Sequence, residues 1–178
     1  MRWIVFLVLA FLTLAVQTSL VQWLTFRAGS AGTVQPDLLA LTAVFVALFA
    51  REGLDVVLAG LALGLAADLT TDAAVGVMPL AYALASGAVF RLREAFFREK
   101  MSARIALTLA FCLLAHPLWA TAQAVLAWRI NSWGDYGLTM VQAVLVSAYT
   151  AVLAPPWFWL LGKAEPLLWV SPPGRSRR

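Results

Sequence analysis

Six apolar blocks, parted by short clusters of charge, glycine and proline, constrain this chain more than any other feature of its sequence. They run Trp3–Phe26, Pro36–Ala50, Leu54–Asp68, Val77–Phe90, Ile105–Trp128 and Leu138–Leu161. At about 1.5 Å of helix per residue, the first, fifth and sixth are long enough to cross about 30 Å of hydrocarbon. The middle three are shorter. The pair from Pro36 to Asp68 turns at Arg51-Glu52-Gly53 and reads as two short crossings or as a re-entrant pair. Two crossings preserve the alternation of charge along the chain and are the preferred reading. With 62% hydrophobic and 12% charged residues and a mean hydropathy of +0.85, water cannot be the main solvent. Soluble domains average roughly 45–50% apolar and about 25% charged residues. The expectation is an all-α integral membrane protein with six short transmembrane helices, a single domain over residues 1–165 and a cytoplasmic tail over 166–178.

Charge sets the orientation. With the N-terminus inside, 11 of the 13 basic residues fall on the cytoplasmic side: Arg2, Arg51, Arg91, Arg93, Arg98, Lys100, Arg104, Lys163, Arg175, Arg177 and Arg178. Only Arg27 and Arg129 fall outside. Such a bias decides topology by the positive-inside rule, which places both termini in the cytoplasm. Trp3, Trp157 and Trp159 then lie near the inner boundary, and Trp23, Trp128 and Trp133 near the outer one. Trp119 falls mid-span and should pack between helices. The stretch Arg91–Arg104 reads as a charged loop that fixes topology, the alternative being a short interfacial helix. The first block resembles a signal peptide at its start, but its apolar run continues to Leu24, too long for one; an uncleaved helix is expected.

The residues that carry chemistry are few. Cys112 sits in an apolar run and reads as a small buried hydrophobe. His116, before Pro117, is the one histidine and cannot build a His-rich metal site. Its expected role is a hydrogen bond to a carbonyl freed by the proline kink. There is no phosphate-binding loop, no Cys-x-x-Cys pair and no nucleophile with a base beside it in sequence. No catalytic site, cofactor or metal is expected.

The acidic residues say more. Asp37 follows Pro36 at the start of the second block, as suits a helix N-terminus. Asp68 lies about 20 Å along the third block from Asp55, in or just below the outer interface, where a carboxylate is costly. Its expected role is a hydrogen bond that ties the third helix to the loop before the fourth, with Arg27 and Arg129 as possible counter-charges. Partner contact is the other reading, with Thr70, Thr71 and Asp72 beside it. Gly60 and Gly64 share one helix face and allow close backbone approach. Gly76-Val-Met-Pro79 reads as an outer turn into a helix on which Ser86 could bond a neighbour.

Taken in order, Pro36-Asp37-Leu-Leu, the block ending Arg51-Glu-Gly53, Gly60-x-x-x-Gly64-Leu-x-x-Asp68-Leu, Gly76 and Pro79-Leu-Ala-Tyr82 resemble the MreD family of bacterial rod shape-determining membrane proteins. The likeness is carried by Pro36–Arg93. Thr70-Thr71-Asp72-Ala73 departs from the Gly-Gly or Ser-Gly pair of many relatives. The resemblance implies a non-catalytic scaffold of the cell-elongation machinery that supports lateral peptidoglycan synthesis. It implies direct binding of MreC, and indirect cooperation with a RodA-type glycosyltransferase, a class B penicillin-binding transpeptidase and the MreB filament. It also implies a fold similar to the S-components of energy-coupling-factor transporters. Pro36, Asp37, Gly60, Gly64, Asp68 and Gly76 are the matching positions and the candidate partner-contact or structural residues. The competing function is a solute-binding component of a vitamin-type transporter, with Gln17, Gln22, Asp68 and Gln123 as possible ligand contacts. An intramembrane enzyme acting on a lipid-linked substrate would need a base or metal site that the sequence does not display.

Overall fold

The computed structural model describes residues 2–19, 21–70, 76–93, 100–126 and 133–168. Its helices are α1 (Trp3–Ser19), α2 (Leu38–Phe49), α3 (Gly53–Asp68), α4 (Val77–Leu92), α5 (Met101–Leu126) and α6 (Trp133–Leu168). Two of them, over Met101–Val125 and Asp135–Lys163, are long and apolar enough to cross a bilayer. α1, α2 and α4 are shorter apolar helices.

The architecture follows from α2. Its sequence, Leu-Leu-Ala-Leu-Thr-Ala-Val-Phe-Val-Ala-Leu-Phe, is apolar on every side, and a helix of that kind must be enclosed. Every residue from Leu38 to Leu48 is buried. All five other helices pack against it. Phe45 stacks on Phe49 and Phe158, with ring centroids 4.7 and 6.1 Å apart. Thr42 closes the one polar gap along its length: its hydroxyl donates to Leu38 O at 2.9 Å and accepts from Trp157 Nε1 at 3.2 Å.

At about 18 Å, α2 is shorter than the hydrocarbon layer. Leu38 and Ala50 at its ends are buried in the protein, so the terminal N–H and C=O groups need partners supplied by the protein. At the N-terminus, Asp37 Oδ1 accepts from Ala40 N at 2.9 Å, and Gln17 Oε1 of α1 accepts from Leu38 N at 2.8 Å. Thr150 Oγ1 of α6 accepts from Asp37 N at 3.0 Å. At the C-terminus, Arg93 Nη1 donates to Ala47 O at 3.0 Å, Leu48 O at 3.3 Å and Ala50 O at 2.6 Å. A carboxylate thus sits at the positive end of the helix dipole and a guanidinium at the negative end. Arg93 is 6% exposed, with its guanidinium 3.8 Å from the Phe90 ring centroid. Counted in sequence among the inner surface charges, it is instead an internal helix cap.

α3 and α4 form the closest pair, and the two glycines set their separation. A Cβ on Gly60 would lie 2.7 Å from Ser86 Oγ and 2.9 Å from Tyr82 O. One on Gly64 would lie 2.6 Å from Pro79 Cα. The small-residue face is therefore filled by α4 of the same chain. Ser86 was expected to bond a neighbour; packed against Gly60, its hydroxyl has no hydrogen-bond partner among the described residues.

The first apolar block is not one helix to Phe26. α1 stops at Ser19, where Thr18 and Ser19 hydroxyls turn back onto Leu14 and Ala15 carbonyls. A 3-10 turn at Val21–Leu24 leads into β1 (Phe26–Arg27), which pairs antiparallel with β2 (Thr33–Val34), Phe26 opposite Val34. Gly29 and Gly32, at φ 57° and 87°, make the reversal. At the other end, α6 runs beyond the expected block in both directions and passes through Pro155-Pro156, with Ala154, Phe158 and Leu161 buried on its core side. It also overruns the expected boundary at residue 165. α5 begins at Met101, four residues ahead of the Ile105 expected from hydropathy. The residues from 94 to 99 in the basic stretch and those from 169 onwards lie outside the described residues.

Candidate functional site

The N-terminal end of α2 gathers the strongest polar cluster among the described residues. Beyond its cap bond, Asp37 turns Oδ2 toward α4 and α5. Tyr82 Oη donates to that oxygen, and His116 Nε2 lies 3.2 Å from it. His116 Nδ1 lies 3.2 Å from Ser147 Oγ of α6, and Ser147 Oγ itself donates to Ala143 O at 2.7 Å. Four helices are thereby joined through one carboxylate and one imidazole. Tyr82 is wholly buried, its ring edge-on to Phe111 with centroids 5.2 Å apart.

Asp37 and His116 are both largely enclosed, and their contact at 3.2 Å sets a carboxylate against an imidazole, which offsets part of the cost of burying either.

Beside this pair lies a cavity of about 360 Å³. Gln17, Pro36 and Asp37 form one wall, His116 and Trp119 of α5 another, and Thr139, Gln142 and Ala143 of α6 a third. Thr33 and Gln35 border it from the hairpin side, and Gln142 Nε2 donates to Thr33 O at 2.7 Å, holding β2 against α6.

The structure places the sequence candidates in three groups. Pro36 and Asp37 are at the cavity, where Pro36 O accepts from Gln17 Nε2 at 3.0 Å. Gly60 and Gly64 lie between α3 and α4. Asp68 and Gly76 meet each other: Asp68 Oδ2 accepts from Gly76 N at 2.6 Å, and Gly76 adopts φ 105°, which suits a residue without a Cβ. That bond ties the end of α3 to the start of α4. Thr71 and Asp72 lie outside the described residues, and Thr70 lines the cavity. Of the proposed ligand contacts, Gln17 lines the cavity while Asp68 and Gln123 do not, and the Gln22 side chain is outside the described residues.

His116 corrects the sequence expectation. Its partners are Asp37 and Ser147 rather than a carbonyl freed at Pro117, because α5 stays helical through the proline and turns the imidazole toward the N-terminus of α2. Ser147 and Thr150 were not singled out in sequence. The signal was present in α6, where Ala143, Ser147, Thr150 and Ala154 recur at spacings of four, three and four and are all buried.

Comparison with known proteins gives one result. The family model for rod shape-determining protein MreD matches residues 1–164, nearly the whole chain. Neither the curated proteins nor the solved structures contain a significant match. With a family match over nearly the whole chain, a helical build and two helices of membrane-crossing length, the chain is a membrane protein that belongs to the MreD family of rod shape-determining proteins.

Proposed function

We propose that this chain is a non-catalytic scaffold of the cell-elongation complex, docking MreC in the bacterial inner membrane and so supporting lateral peptidoglycan synthesis. The family match over residues 1–164 carries this reading. Two features of the fold support it. The polar groups that could do chemistry are already used to cap α2 and to pair with one another. The helices around α2 leave apolar outer faces: Ile4, Leu7, Val8, Phe11 and Leu12 of α1 are all exposed. In lipid, such faces offer shape and dispersion contacts to a partner's single span without a hydrophobic drive between helices.

On this reading the chain crosses the membrane repeatedly with both termini in the cytoplasm, in an arrangement like that of energy-coupling-factor S-components. The RodA-type glycosyltransferase, the class B transpeptidase and MreB filaments are reached through MreC. Pro36, Asp37, Gly60, Gly64, Asp68 and Gly76 act by holding the shape that MreC reads. The test is affinity purification of the tagged full chain from solubilised membranes, with identification of co-eluting proteins. Recovery of MreC above an unrelated polytopic control is expected. An energy-coupling module in place of MreC would overturn the proposal.

A further inference from the structure

We propose that the cavity beside the Asp37–His116 pair binds a small, uncharged molecule that carries hydrogen-bond donors on a planar frame. Its volume of about 360 Å³ falls in the range of ligand sites, roughly 300–1,000 Å³. Asp37 and His116 are the ionisable groups among its described lining residues, and they pair with one another at 3.2 Å. An anion or cation entering here would lose its hydration without meeting an uncompensated counter-charge.

The remaining polar groups call for donors on the ligand and leave room for an acceptor. Thr139 gives its hydroxyl proton to Asp135 O and Thr70 gives its proton to Ala67 O, so both oxygens face a newcomer as acceptors. Gln142 spends one Nε2 proton on Thr33 O and keeps a second N–H as well as its carbonyl oxygen. Gln17 has one N–H on Pro36 O and its carbonyl oxygen on Leu38 N, and keeps a second N–H. The wall thus offers neutral acceptors beside spare N–H donors, and Trp119, whose Nε1 has no hydrogen-bond partner among the described residues, adds an aromatic surface to it. A primary amide on a flat ring matches this set, offering two N–H groups, a carbonyl oxygen, no charge and a face for the indole.

The proposal concerns binding alone, with no transport step, and stands apart from the scaffold reading, since MreC recovery does not enter its test. Nicotinamide serves as the probe, with nicotinate and 3-(aminomethyl)pyridine as an anionic and a cationic analogue of the same shape. Saturation-transfer NMR on the full chain in lipid nanodiscs should give a nicotinamide signal about tenfold above either analogue, as a missing donor or an unpaired charge commonly costs that much or more. Thr139→Trp, which fills the cavity from α6, should abolish it, while Val152→Trp on the exposed side of α6 should not. If Thr139→Trp fails to fold, Ala143→Leu fills the same wall from inside. Equal signals from all three probes, no nicotinamide signal, or a signal that survives filling the cavity would each overturn the proposal. Any of these would leave the shape-complex reading untouched.

Discussion

Arg93→Met strips the guanidinium from the C-terminus of α2 while keeping an unbranched apolar stem. In the native chain, Nη1 reaches three carbonyl oxygens, at 2.6, 3.0 and 3.3 Å. That nitrogen carries two protons, so the three contacts count as about two bonds. A hydrogen bond to a charged group contributes about 1.5–3 kcal/mol, and a buried carbonyl left without its donor adds its own desolvation cost. Loss of the solvation cost of burying the cation offsets part of this. The net destabilisation should be about 3 kcal/mol, or roughly a hundredfold in the unfolding equilibrium. Arg93→Lys, with a compact ammonium in place of the planar fork, should recover about half of it. Arg91→Met removes an exposed charge two residues away and should have little effect. On the proposed topology ten inner basic residues remain after either change, so the charge bias that sets orientation is kept. Reversible unfolding in mixed micelles, followed by helicity, measures the series. A value for Arg93→Met within about 0.5 kcal/mol of the parent would refute the capping argument.

Gly64→Ala should destabilise the fold by about 1–3 kcal/mol, because its Cβ meets the backbone of Pro79 at 2.6 Å. Gly87→Ala, whose Cβ meets Val57 at 3.7 Å, should be neutral or stabilise by up to about 1 kcal/mol in the same assay. Asp37→Ala removes the cap acceptor and the partner of Tyr82 and His116, and should cost more than Asp37→Asn, which keeps an oxygen toward Ala40 N. A gap of at least about 1 kcal/mol between the two is expected from the capping contribution. Asp68→Leu loses the bond to Gly76 N and should lower MreC recovery more than Asp72→Leu; equal recovery for both removes the case for Asp68. Cys112, wholly buried, should resist N-ethylmaleimide in the native chain and react once it is denatured, and rapid native labelling would contradict its placement.

The apolar blocks made the helices legible because their signal is local. Each block is a run of adjacent residues, and the cost of exposing backbone in lipid turns such runs into helices. The glycine pair was legible for the same reason, since Gly60 and Gly64 sit on one face whatever lies opposite. Asp37 was readable as an N-cap from Pro36-Asp37 alone. Its other bonds were not, because Tyr82 is 45 positions away and His116 is 79 positions away. Pairing over that distance is set by how α4 and α5 pack around α2. Arg93 shows the same limit more sharply. Nothing in Arg91-Leu-Arg93-Glu distinguishes a solvated charge from one folded back under α2, and the difference is made by the short length of α2, which leaves its carbonyls within reach. The hairpin between α1 and α2 was hidden because Trp23 and Phe26 continue an apolar run that the chain in fact breaks at Ser19.

On the proposed function, this chain serves the cell-shape machinery through its fold. The decisive measurement is conditional depletion of the protein in its own bacterial host, with cell width and length followed by microscopy. Cells should widen and round as the protein is lost, and re-expression of the full chain should restore their outline. Cells that keep their dimensions through complete depletion would contradict it.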